Sequence, residues 1–168
     1  MERNDFVKTG LLTAAALVFS PSIVKGTIGQ DKSQLDKKLV QEFVNKSHGN
    51  DEIVKEMLDE HPTLLNVAHD WNNGDYETGL GAASHVGDKK LVQYFLDKGA
   101  QANIFTAALF GKMDIIKPML NFSPQSLKAK GPHGFSLLHH ANKGGADALE
   151  VKEYLILLGA KETKYSLF

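Results

Sequence analysis

Seven histidines, with carboxylates at Asp70, Asp75 and Glu77, are the side chains in this 168-residue chain that invite a chemical reading. His139 and His140 are adjacent, and neighbours on a helix point about 100° apart, so the two are poorly placed to grip one metal ion. His133 lies in Gly131-Pro132-His133-Gly134, and His85 follows the small residues Ala82-Ala83-Ser84. Stacked segments would bring His85, His133 and His140 onto one side, with Asp70, Asp75 or Glu77 near enough to complete a zinc site. No H-E-x-x-H or comparable spacing accompanies them. The expectation is therefore no metal site and no cofactor.

Nucleophilic chemistry has even less to work with. Ser84 and Ser136 stand outside any G-x-S-x-G turn, and no glycine-rich phosphate loop follows a strand pattern. There are no cysteines, which removes disulfides, thiolate metal ligands and a thiol nucleophile. No catalytic residue is expected, and the chain reads as a non-enzyme.

The elements that must position these groups follow from composition and periodicity. With 42% hydrophobic residues the chain can build one real core. Its net charge of −1 offers no basic excess for a phosphate backbone, so nucleic acid is not an expected partner. Residues 1–26 read as a signal peptide: a polar start, the apolar run Gly10 to Phe19, then Ser20-Pro21-Ser22 and small residues towards Gly26. As a helix the run spans about 15 Å, half a bilayer core. Arg3-Asn4-Asp5-Phe6-Val7-Lys8 resembles a twin-arginine pattern with Asn4 in place of the second arginine. A polar linker, residues 27–33, follows.

Beyond it, apolar residues recur in short helical bursts. Leu39, Val40, Phe43 and Val44 share one face, as do Ile53, Val54, Met57 and Leu58 after Asp51 as N-cap. Gly49, Gly87, Gly111 and Gly145 each follow a first helix; then come Val54, Val92, Ile116 and Val151, and four residues later Leu58, Leu96, Leu120 and Leu155. Gly99-Ala100 and Gly159-Ala160 close two of the second helices. Such coincidences mean a repeat array, in which each unit buries what its neighbour leaves open. A core truncation such as Leu96→Ala is expected to cost about 2–5 kcal/mol.

Thr78, Leu80, Ala83, Gly87, Val92, Leu96, Gly99, Ala100 and Asn103 fall in register with the ankyrin repeat, which this segment resembles. Gly134, Ser136, Leu138, His139, Ala141, Gly145, Val151, Leu155, Gly159 and Ala160 match it again. Phrases such as Asp75-x-Glu77-Thr78-x-Leu80-Gly81-Ala82-Ala83 and Gly131-Pro132-His133-Gly134 look like a bacterial subtype of exported ankyrin proteins without an assigned activity.

The resemblance implies an all-α ankyrin-repeat solenoid over residues 34–162, of about four stacked helix pairs with short β-hairpin fingers, ending in a tail at 163–168. Gly79 and Gly81 replace the usual proline and histidine and weaken the start of their helix. Asn103 to Ala107 leaves no room for a finger, so the third repeat lacks one. Pro118 predicts a kink or a late helix start. His139 takes the position where imidazole bridges backbone groups between units, and Tyr165, Leu167 and Phe168 are expected to cap the last layer. Asp75 and Glu77 would sit on a finger, solvated or in contact with a partner.

Function follows from the concave face that such a fold offers: Trp71, Asn73, Asp75, Tyr76, His85, Phe110, His133, His140 and Lys143, with Trp71 and Tyr76 as anchors. The expectation is an exported, periplasmic or secreted module that binds another protein, as a possible accessory subunit of an exported enzyme, with no membrane contact after leader cleavage. The alternatives are a histidine-based metal-binding hydrolase and a membrane-tethered scaffold.

Overall fold

The computed structural model describes residues 34–168; the expected leader and linker lie outside the described residues. Helices dominate, with one small two-stranded sheet, compatible with an all-α class. They come in consecutive pairs: α1 (Lys37–Lys46) and α2 (Asp51–Glu60), α3 (Gly79–Val86) and α4 (Lys89–Asp97), α5 (Ile104–Leu109) and α6 (Met113–Phe122), α7 (Leu137–Gly144) and α8 (Leu149–Leu157). First helices pack in sequence, α1 on α3, α3 on α5 and α5 on α7.

Each first helix starts on a side chain that satisfies its free N–H groups. Asp36 caps α1, Thr78 Oγ1 accepts from the Gly81 N–H at 3.0 Å, Asn103 Oδ1 takes those of Phe105 and Thr106, and Ser136 caps α7. Asn50, and not Asp51, caps α2. Gly87 and Gly99 take left-handed conformations after α3 and α4, where a Cβ would be strained.

Val54, Val92, Ile116 and Val151 are all buried, as are Leu58, Leu120 and Leu155. Leu96 is only half-buried, so the full core cost expected for its truncation does not apply. Close helix approach explains two glycines. A methyl group at Gly79 would stand 2.8 Å from both Phe43 and Ser47, so the unusual residue there is what lets α3 lie on α1. One at Gly144 would run into the Leu109 carbonyl where α7 meets α5.

β1 (Ala68–Asp70) and β2 (Tyr76–Thr78) form an antiparallel hairpin with His69 opposite Glu77. Its tip is held by Asp70 Oδ1, which accepts from the Asn72 and Gly74 N–H groups, both at 3.0 Å. Among the described residues no strand lies between α4 and α5, where α5 begins directly after Asn103, and none between α6 and α7 either, so the expected row of hairpin fingers reduces to the one before α3. α6 runs from Met113 through Pro118, so its start is not delayed. The tail pairs with residues 134–136 through Tyr165 N–H to Gly134 O and Ser136 N–H to Thr163 O; Phe168 caps nothing and is exposed. No helix among the described residues is long and apolar enough to cross a membrane.

Candidate functional site: a histidine and glutamate centre

The alternation of β2 sets the site. Side chains of a strand point to opposite faces in turn, so Tyr76 faces solvent while Glu77 turns inward and is 1% exposed. Asp75, two residues before Glu77, falls on the same side, and the two carboxylates grip one imidazole from its two nitrogens. Asp75 Oδ2 is 2.7 Å from His133 Nδ1, and Glu77 Oε2 is 3.3 Å from His133 Nε2. Asp75 Oδ1 also accepts the His133 backbone N–H at 2.8 Å. That pair of bonds holds His133 at φ 56°, a left-handed conformation uncommon outside glycine and of the kind that gathers at functional sites.

Two more imidazoles converge on the same carboxylate. His85 Nε2 on α3 stands 2.9 Å from Glu77 Oε1, and His48 Nε2, just past the end of α1, stands 3.4 Å from Oε2. Trp71 closes the set by donating its indole N–H to Glu77 Oε2 at 2.7 Å. One ligand atom from each of His48, Glu77, His85 and His133 fits within 4.8 Å of all the others.

Hydrogen bonding fixes which nitrogens are free. His48 Nδ1 faces the carbonyls of Val44 and Asn45, at 3.1 and 3.0 Å. A carbonyl can only accept, so Nδ1 carries the proton. The Asp75 carboxylate assigns His133 Nδ1 in the same way. In the neutral rings both Nε2 atoms then present lone pairs to a carboxylate. Glu77 Oε1 and His85 Nε2 are buried and close, yet neither has a well-directed hydrogen bond. Burial by itself pushes the Glu77 carboxyl up, but His85, Trp71 and His48 outweigh it and hold it below the ordinary carboxylate range. The centre is thus a buried negative charge ringed by three imidazoles, an arrangement satisfied by protons on the rings or by a bound cation.

No protein-family model matches the chain, and no curated protein does either.

The residues expected on a concave face part company here. Trp71, Asp75 and His133 belong to the centre, and His85 is 7% exposed and walled in by the hairpin, so it offers no contact surface. His140 is fully buried, with Nδ1 donating to Ser136 O at 2.8 Å, and likewise presents nothing to a partner. Tyr76, Asn73 and Lys143 are exposed; Phe110 is half-buried and lines a separate apolar groove. His139 does bridge layers, its Nε2 donating to the His85 carbonyl at 2.8 Å. Glu77 is a buried centre of charge, not a solvated finger residue.

His48 was missed by spacing arguments. Its one signal is that it directly precedes Gly49, so it aligns beside the His85 position one unit away.

Proposed function

We propose that this chain binds a divalent transition metal ion of the zinc class through His48, Glu77, His85 and His133. The observation that carries the proposal is the convergence of these four ligand atoms within 4.8 Å, two of them buried without a directed hydrogen bond. Distances support it. A tetrahedral ion with bonds of about 2.0–2.1 Å separates its ligand atoms by about 3.3–3.4 Å, close to the 3.4 and 3.3 Å from Glu77 Oε2 to His48 and His133; Oε2 also accepts the Trp71 indole N–H, and His85 stands nearer, 2.9 Å from Oε1. Asp75 behind His133 supplies the carboxylate–imidazole support that metal-ligating histidines use. Imidazole and carboxylate without thiolate suit zinc, and also nickel or iron.

Elemental analysis tests it. The chain exposed to zinc and dialysed should retain one ion per molecule, and the Glu77→Gln, His85→Ala double variant none, with its circular dichroism unchanged. Wild-type protein that stays metal-free after exposure to zinc, cobalt and nickel overturns the proposal.

The scaffold is, in the same proposal, an ankyrin-type stack of helix pairs with a hairpin finger formed only ahead of α3 among the described residues. The buried Val54, Val92, Ile116 and Val151 series supports this, together with left-handed Gly99 and Gly159. A second reading, recognition of another protein, is favoured by Tyr76 at 64% exposure beside the exposed turn at Asn73. Both lie outside the metal ligands, so Asn73→Ala with Tyr76→Ala should release a crosslinked partner while zinc stays bound. Export rests on the leader, and the native N-terminal mass tests it by showing cleavage near Gly26.

A further inference from the structure

Building on that metal reading, we infer that the ion held by these four residues takes a small neutral nitrogen or oxygen donor as a fifth ligand on its outer side. The four ligands differ sharply in access. Glu77 and His85 form a floor with side chains 0% and 8% exposed, whereas His48 and His133 form a rim at 29% and 28%. Above that rim lies a cavity of about 270 Å³ walled by Asn45, His48, Trp71 and His133. Four protein ligands complete a tetrahedral ion, so a further donor enters by expansion to five-coordination, which requires one side of the ion to face solvent. Here two of the four ligands border solvent space directly.

Charge selects the class of occupant. No lysine or arginine lines the cavity. The divalent ion would be balanced by Glu77 and by Asp75 behind His133, so the mouth carries no surplus positive charge for a phosphate or sulfate. Its walls are the Trp71 indole, the His48 and His133 imidazoles and one amide, Asn45. An aromatic wall with a single amide suits a flat, uncharged donor such as imidazole. The volume admits a group of that size with room to spare.

Cobalt(II) supplies the probe, because its visible ligand-field spectrum reports coordination number and zinc is silent. Chain loaded with cobalt(II) should change spectrum saturably as imidazole is added, with the metal still bound, and should not respond to inorganic phosphate. Asn45→Trp, which fills the mouth from an exposed position on α1, should bind cobalt(II) equally well and lose the imidazole response.

A cobalt(II) spectrum indifferent to imidazole means a closed structural centre and overturns this inference while leaving the metal reading intact. Removal of the metal by imidazole, an undiminished response in Asn45→Trp, or a stronger response to phosphate each overturns it too. Failure to bind cobalt(II) or zinc at all removes the metal reading, and the fifth ligand with it.

Discussion

The α3/α4 and α5/α6 pairs have the same plan and opposite surfaces. Before α3 the chain makes the β1–β2 hairpin, which folds a carboxylate under itself and against three imidazoles. Before α5 it makes none: Asn103 ends one unit and caps the next. What remains beside α5 is an apolar groove of about 400 Å³ lined by Leu96, Ile104, Phe110, Ile115 and Met119, among others. The difference teaches that the helices supply the core, while the segment ahead of each first helix decides what the face presents. With a hairpin the face becomes a polar centre; without one it stays an oily trough.

The largest effect that would sharpen this contrast is metal-dependent stability confined to one side. A ligand that binds only the folded state adds about 4 kcal/mol at a thousandfold excess over its dissociation constant. Zinc should therefore raise the melting temperature, and amide exchange should slow around Ala68 to Val86, His48 and His133. Amides of α6 bordering the groove should gain no more than the global change. Equal gains across both pairs would mean that the metal does not act through the hairpin.

Core truncation is next in size. Leu120 is 4% exposed and packed between α6 and its neighbours, so Leu120→Ala should cost about 2–5 kcal/mol. Leu96 borders the groove and is already half-open, so Leu96→Ala should cost only about 1–2 kcal/mol. Urea melts compare them directly. Equal costs would show that the groove is filled in solution.

These two leucines also show how much of the fold was legible in the sequence. The repeat register named the buried valine and isoleucine of every pair because helical periodicity is a local property. It treated Leu96 and Leu120 as equals: the short interval from Asn103 to Ala107 marks the missing finger, but which leucine that gap uncovers depends on contacts through space. The candidate site was legible only in fragments. His85, His133, Asp75 and Glu77 were seen as a zinc set that spacing did not support, with His140 in place of His48. Residues 48 and 133 meet only because β2 folds Glu77 inward and the Asp75 carboxylate reaches the loop at His133. Those are contacts through space, and no interval along the chain encodes them.

An intermediate effect comes from a buried imidazole outside the centre. Burial, only partly opposed by the bond to Ser136 O, lowers His140 to about 4 from its ordinary 6.5. A histidine depressed on folding takes up protons in the unfolded chain first, so unfolding binds a proton between those two values. Its stabilising contribution is complete above pH 6.5 and drains away as pH falls towards 4, by on the order of 3 kcal/mol. His140→Leu should flatten that part of the stability curve. An unchanged slope would assign the acid sensitivity to other groups.

The smallest effect probes the hairpin's hold on His133. Asp75→Asn keeps the size of the side chain and its acceptor for the His133 backbone N–H, but replaces a carboxylate oxygen at Nδ1 by an amide. An amide nitrogen in that place would meet the ring as a donor, favouring the tautomer with its proton on Nε2, where it blocks ligation. If the amide turns its oxygen to Nδ1, the ring still loses the basicity that a charged partner lends. Either way zinc should bind about 10–100-fold more weakly, with the ion still coordinated by the same four residues. Tyr76→Ala, on the outer face of the same strand, should leave zinc affinity unchanged. A loss shared by both variants would place the effect in the hairpin's folding, and only a loss confined to Asp75→Asn locates it in the imidazole.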